Sequence, residues 1–271
     1  MSDVTGVRYN AAAEEPILVI EEVRRSFGGL LAVAVEDLNV AWHQITALIG
    51  PNGAGKTTLF NVLTGFDRAG EGSWRFDGVD VAGWPAYRIA RDGMVRTFQL
   101  TKALAGMTVL DNMLLGAPAQ QGEHLSVAPL RFVWRTRERA VRARALALLE
   151  NFGLIDKRDD LAATLSGGQR KLLDMARALM AEPKLVMLDE PMAGVNPALV
   201  QSLLEHIRRL RDDGRTVMFI EHDMDVVMSI SDRVICMAEG RVIADGAPGE
   251  VVTNQALIDA YLGQRRGRTA S

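Results

Sequence analysis

From Gly50 to Thr58 the chain reads Gly-Pro-Asn-Gly-Ala-Gly-Lys-Thr-Thr, a G-x-x-x-x-G-K-T pattern followed by apolar residues. Glycines at 50, 53 and 55 let backbone N–H groups converge on an anion without a Cβ in the way. A helix starting behind them adds its free N–H groups and the positive end of its dipole. Lys56 can reach the β- and γ-phosphates of a nucleoside triphosphate, and the Thr57 hydroxyl can ligate Mg²⁺. Gly50, Pro51, Asn52, Gly53, Ala54, Gly55, Lys56, Thr57 and Thr58 are therefore the expected nucleotide-binding segment. A glycine-rich turn that binds nothing is the plainer alternative, and the complete pattern argues against it.

Further groups suit the same chemistry. Asp189 ends the apolar run Leu-Val-Met-Leu, where a carboxylate can hold Mg²⁺ beside a phosphate loop. Glu190 follows, expected on the other side of an extended chain, where it could polarise the water that attacks the γ-phosphate. His222 also follows an apolar run and is expected to hydrogen-bond that phosphate. Gln99 could ligate the metal or the water through its amide. Phe27 could stack on an adenine ring, or serve simply as a core or turn residue.

These groups need strands and helices to hold them. Residues 45–49 read as a buried strand into the phosphate loop, with a helix carrying Leu59, Phe60, Val62 and Leu63 behind it. Upstream, residues 17–23 and 30–40 read as strands around a turn at Phe27-Gly28-Gly29. Downstream, Gly70-Glu71-Gly72 predicts a turn, 73–76 a strand, Asp77-Gly78 a turn, 85–91 a short helix with Pro85 in its first turn, and 95–98 a strand. Residues 100–135 look loop-rich, and 137–152 carry an apolar stripe of Val141, Ala145, Leu148, Leu149 and Phe152 on a helix. A helix over 170–181, a strand over 185–188, a helix from Pro197, a strand over 216–220, strands near Val234 and Val242 and a helix over 256–262 complete the pattern. Uninterrupted apolar strands alternating with helices predict an α/β fold around a largely parallel sheet.

The 271 residues are 48% hydrophobic and 24% charged, which fits a globular chain with a sizeable core. A net charge of −3 argues against nucleic acid as a partner. The single cysteine, Cys236, permits no internal disulfide, suits a reducing compartment and sits in an apolar run as core packing. No apolar stretch approaches the ~18 to 20 residues that span a bilayer, so a membrane role must come through a partner. Residues 1–15 lack the pattern of a signal peptide and are expected to form a disordered leader, and the basic 264–271 a flexible tail.

One further segment makes a resemblance specific. Leu165, Ser166, Gly167, Gly168 and Gln169 spell Leu-Ser-Gly-Gly-Gln ahead of a helix. Together with Gly50 to Thr57, Gln99, Asp189, Glu190 and His222, in this order and spacing, the chain from about Ile17 to Gly263 resembles an ABC-type ATPase subunit. The resemblance implies a phosphate-loop NTPase core with a mostly parallel sheet, an antiparallel β subdomain and an inserted helical lobe at about 100–182, within a domain at 16–263. It implies ATP and Mg²⁺ as cofactors, Thr57, Gln99 and Asp189 at the metal, and Glu190, His222 and Gln99 in catalysis. Leu165 to Gln169 would cap the ATP held by a second ATPase subunit in a head-to-tail dimer. The implied partners are that second subunit, transmembrane permease subunits and, indirectly, a solute-binding protein, at the cytoplasmic face of a membrane.

Arg96-Thr97-Phe98-Gln99, Met107-Thr108-Val109-Leu110-Asp111-Asn112, Ala193-Gly194-Val195-Asn196-Pro197, Glu221-His222-Asp223-Met224 and Ala260-Tyr261-Leu262-Gly263 resemble the ATPase subunits of branched-chain amino acid importers. Urea and related amide importers share much of this pattern. Asn196 stands where many ABC ATPases carry Asp, and Gly167 keeps the general signature at a position this branch often varies. An exporter of lipid or lipopolysaccharide and a soluble ABC ATPase acting in DNA repair or on ribosomes are the alternatives. The soluble ones usually carry two cassettes in one chain or a long coiled coil, and neither pattern is present.

Overall fold

The computed structural model describes residues 15–97, 102–118 and 131–255. Strands β1 (Leu18–Phe27), β2 (Leu30–Val40) and β3 (Ile45–Ile49) lead into helix α1 (Lys56–Leu63), then β4 (Glu71–Phe76), β5 (Val79–Asp80), α2 (Ala86–Asp92) and β6 (Met94–Arg96). Helices α3 (Lys102–Ala105), α4 (Val109–Leu115), α5 (Arg131–Asn151) and α6 (Gly167–Leu179) follow. The chain continues through β7 (Leu185–Asp189), α7 (Pro197–Asp212), β8 (Thr216–Ile220), α8 (Met224–Ile230), β9 (Arg233–Ala238), β10 (Arg241–Gly246) and α9 (Pro248–Val252). It divides into two units, one holding the residues up to Arg96, Lys184–Met192 and those from Ile207, the other Thr97–Pro183 and Ala193–His206.

The first unit contains both sheets. Its larger sheet has the order β10-β9-β3-β8-β7-β6, parallel throughout except for β10, which pairs antiparallel with β9. The smaller sheet is antiparallel in the order β2-β1-β4-β5. Strands β3 and β8 are buried at every position, as parallel strands covered on both faces must be, which is why their sequences do not alternate. Helix α1 buries Leu59, Phe60, Val62 and Leu63 in a core that also takes Ile20 and Val23 from β1 and Leu48 and Met187 from the larger sheet. Each such side chain contributes roughly 1.5–3 kcal/mol of burial, so the helix behind the phosphate loop is fixed by packing.

In the second unit α4, α5 and α6 bury Val109, Leu110 and Met113 with Ala145, Leu149, Leu173 and Ala176. Asn112 is fully buried and donates from Nδ2 to the Leu104 and Thr108 carbonyls, both at 2.9 Å, tying α4 to α3 and to its own cap residue. At the end of α5, the Phe152 ring stacks on His206 with centroids 4.2 Å apart.

Several boundaries differ from the sequence expectations. The segment read as loop-rich holds α3 and α4, because the Thr108 hydroxyl accepts the Asp111 N–H at 3.0 Å and caps a helix with too few residues to show a period. Helix α5 begins at Arg131 rather than 137, through residues with no sustained apolar stripe. Strand β4 begins at Glu71, not after a turn, since Gly72 lies against the β1 backbone, where a Cβ would meet the Glu22 carbonyl oxygen at 2.4 Å. Helix α6 starts at Gly167 rather than 170, and Pro85 precedes α2 as its cap. Strand β6 covers Met94–Arg96, and the expected strand end at Phe98 and helix over 256–262 lie outside the described residues.

Candidate functional site

Parallel pairing places the chemistry at one sheet edge. Ile220 at the end of β8 stands level with Leu48 on one side and with Asp189 on the other. The residues that follow each strand, Gly50, Glu190 and Glu221-His222, therefore leave the sheet at its carboxyl edge, where ligands of parallel α/β sheets bind. Both flanking strands border β8, so this follows from register alone.

The phosphate loop depends on its glycines. Gly50 has φ +142°, and a Cβ there would lie 2.0 Å from the Met237 carbonyl oxygen. Gly55, at φ +96°, precedes α1 with no side-chain hydrogen bond to its first turn, and a Cβ on it would lie 2.2 Å from the Ala32 carbonyl oxygen. The loop thus turns tightly and leaves the start of α1 uncapped by side chains, as an anion cradle requires. Asn52 and Gly53 are exposed, Pro51 half-buried and Ala54 buried; Thr57 is exposed and Thr58 half-buried on α1.

Lys56 is buried, and its Nζ donates to the carbonyls of Gly50 at 2.6 Å and Pro51 at 2.9 Å. Burial pushes its ammonium below the ordinary 10.5, while the nearby Glu190 and Asp189 carboxylates pull it back up. Cys236 itself is buried and held neutral, its thiol pushed up to about 11, which agrees with core packing.

Asp189 ends β7 with a partly exposed carboxylate whose Oδ2 accepts from Arg96 Nη2 at 2.5 Å. The same guanidinium donates from Nη1 to Asn61 Oδ1 on α1 at 2.5 Å. Glu190 does not continue an extended strand: its φ is +46°, and its N–H donates to the Ile220 carbonyl at 3.1 Å. That corrects the expected alternation, because the left-handed turn and not the strand pleat now sets where the carboxylate goes. His222 has a mostly exposed side chain, with Nδ1 3.8 Å from Glu221 Oε2. Phe27 ends β1 and is 48% exposed, so it is not a core residue; the Arg25 guanidinium lies 4.3 Å from its ring centroid. Gln99 lies outside the described residues.

The oxygen donors present fit Mg²⁺. Thr57 offers a hydroxyl at the first turn of α1, and Asp189 a carboxylate engaged by Arg96 through one oxygen. Among the described residues no cluster of three or more His, Cys, Asp or Glu could hold a metal alone, which suits an ion bound by one or two protein oxygens plus substrate phosphates.

Leu165, Ser166, Gly167, Gly168 and Gln169 belong to the second unit. Ser166 caps α6: its Oγ accepts the Gln169 N–H at 3.3 Å, and Gln169 Oε1 accepts the Ser166 N–H at 3.0 Å. Leu165 and Gly168 are buried, and a Cβ on Gly168 would lie 2.5 Å from Leu199 Cδ1, so a larger residue there would have to displace the end of that side chain. Ser166 and Gly167 are exposed.

Sequence reasoning overlooked Arg96 and Glu221. Arg96 was visible only as part of a motif. Glu221 had a signal, a charged residue directly behind four apolar ones, and it is buried to 1% with Oε1 accepting Met192 N–H at 2.9 Å and Oε2 accepting His222 N–H at 3.2 Å. Burial holds its carboxyl above the ordinary 4.5, against the opposing pull of those two donors.

Comparison with known proteins agrees with this geometry. Residues 36–193 match the ABC transporter family. The high-affinity branched-chain amino acid transport ATP-binding protein BraF of Pseudomonas aeruginosa is 42% identical over 255 residues, covering 92% of this chain and 98% of that protein. The corresponding LivG protein of Escherichia coli K12 is 39% identical over 252 residues, covering 92% and 99%. A crystal structure of the ADP conformation of an ATP-binding cassette of an ABC transporter superposes with TM-score 0.81 at 35% identity, over 92% of this chain and 100% of that one. No described helix is long and apolar enough to cross a membrane. The chain therefore belongs to the ABC transporter family, as one of its ATP-binding cassettes.

Proposed function

We propose that this transport ATPase drives an importer of branched-chain amino acids, working as one of two ATPase subunits beneath transmembrane permeases at the cytoplasmic face of the membrane. The observation that carries the reading is the common edge of β3, β7 and β8, which brings Lys56, Asp189, Glu190 and His222 into one unit. The names of its relatives BraF and LivG support the solute class.

In this reading the phosphate-loop N–H groups and Lys56 bind the β- and γ-phosphates, and Thr57 and Asp189 hold Mg²⁺. The ion, when bound, neutralises charge developing on the phosphates. Glu190 takes the proton of the attacking water, and His222 holds the γ-phosphate end of the nucleotide. Ser166 and Gly167, exposed at the start of α6, present a helix N-terminus to the nucleotide of the second subunit. Closure on ATP and reopening after hydrolysis move the permeases. Phe27 offers an exposed ring to adenine.

The test is solute uptake by vesicles carrying the chain with its permeases and binding protein. ATP-dependent leucine uptake, abolished by Lys56→Ala, is the expected result. Uptake of urea without leucine would overturn the solute class. Uptake unaffected by Lys56→Ala would overturn the assignment of the ATP site.

A further inference from the structure

Glu221 has no part in the chemistry above, yet it is a carboxylate buried almost completely beside another acid. Burying a charge is costly unless its hydrogen-bonding capacity is used. Here both oxygens are used on backbone: Oε1 takes Met192 N–H and Oε2 takes His222 N–H. The two donors are met by separate oxygens of one side chain. A carboxylate supplies them, whereas an amide would turn an NH₂ against one of the N–H groups.

The placement of those donors is specific. Glu190 sits at φ +46°, a left-handed conformation that side chains disfavour and that persists only where the surroundings hold it. Pro191 has no N–H to offer. The turn is held from its two flanks instead, by Glu190 N–H on the Ile220 carbonyl and by Met192 N–H on Glu221. Both acceptors come from consecutive residues where β8 ends, and the next residue is His222.

We infer that Glu221 is a positioning residue for hydrolysis, its two carboxylate oxygens clamping the strained turn that aims Glu190 and the backbone of His222 into a single fixed arrangement. The inference rests on the reading of Glu190 and His222 as the hydrolytic groups. It separates two acids that the sequence places in similar surroundings, each behind a buried strand. Glu190 acts on water, and Glu221 acts on the backbone that carries Glu190.

The experiment measures steady-state ATPase kinetics and fluorescent ATP-analogue affinity on the full-length chain with Glu221→Gln, Glu190→Gln and the double substitution. Glu221→Gln should lower kcat about tenfold with KM and analogue affinity within about twofold of the parent, because the clamp touches no phosphate. The double variant should be no slower than Glu190→Gln, since a clamp has nothing left to aim. Glu221→Asp keeps both acceptors on a shorter stem and should fall between parent and Glu221→Gln; it carries the same test should the Gln variant not fold. Parental kcat in Glu221→Gln, or in Glu221→Asp if that is the folded variant, beside an inactive Glu190→Gln overturns the clamp. So does a parallel loss of kcat and analogue affinity, which would mark a loosened fold. Parental turnover by Glu190→Gln overturns the hydrolytic reading itself, and the clamp with it.

Discussion

Arg96 and Asp189 form an ion pair at 2.5 Å in which the arginine, its side chain 5% exposed, holds one oxygen of the acid that ends β7. Its other arm reaches Asn61 on α1, so one side chain links the helix behind the phosphate loop to the proposed metal carboxylate. Arg96→Met keeps most of the apolar stem and removes both links. Because Asp189 keeps some solvent, the expected cost is about 2 kcal/mol rather than the larger value for a fully buried pair, or roughly 4–8 °C in Tm. Mg²⁺-dependent tightening of ATP binding should weaken as well. Thermal melts and nucleotide titrations with and without Mg²⁺ check both, and an unchanged Mg²⁺ dependence would detach Arg96 from the metal site.

Glu190→Gln should leave ATP binding intact while hydrolysis falls on the order of 10² or more, if Glu190 is the water-activating carboxylate proposed above. The species that accumulates should be a nucleotide-bound dimer, visible by sizing chromatography with ATP. Near-parental turnover would remove Glu190 from the role of base.

Ser166→Arg should allow ATP binding by the monomer but block dimerisation and hydrolysis, because its long side chain stands where the partner's γ-phosphate would dock. It also deletes the α6 cap, at a cost of about 1 kcal/mol, so a modest drop in Tm is expected without loss of the fold. Mixed with Lys56→Ala, which should itself bind ATP at least roughly tenfold more weakly, it forms a heterodimer with one composite site free of lesions. About half the activity per dimer is the upper limit. ATP-dependent heterodimer formation, scored separately, distinguishes strict two-site cooperativity from a failed head-to-tail arrangement. Parental hydrolysis by Ser166→Arg alone would end the head-to-tail proposal.

Cys236 should resist alkylation in the native chain near pH 8 and react readily in urea, as its thiol is buried and its pKa raised to about 11. An acid whose folded pKa is raised adds stability that is complete below its unfolded value of 9.0 and is lost as pH rises through the folded value. Cys236→Ala should therefore flatten the part of the stability profile between 9.0 and about 11. Mass-spectrometric labelling and denaturation midpoints across that range are the measurements, and rapid native labelling at pH 8 would contradict the burial argument.

Much of this protein was legible because its chemistry is written in short contiguous stretches. Gly50, Gly53, Gly55, Lys56 and Thr57 lie in one short stretch where β3 turns into α1. The buried parallel strands β3, β7 and β8 were equally plain, since burial on both faces demands unbroken apolar runs. Short helices capped by a single residue, such as α4 behind Thr108, carried too little periodicity to be read.

Relations between residues far apart in the chain came from folding alone. Ile220 stands level with Leu48 and Asp189 through strand pairing, which no local pattern encodes. Arg96 reaches Asp189 across the β6–β7 neighbourhood and Asn61 on α1, while Glu221 reaches Met192. The left-handed turn at Glu190, φ +46°, likewise involves a residue far along the chain, its N–H donating to the Ile220 carbonyl at the end of β8. Residue types and spacing singled out the groups suited to a nucleotide; the packing of β8 between β3 and β7 brought them to one sheet edge.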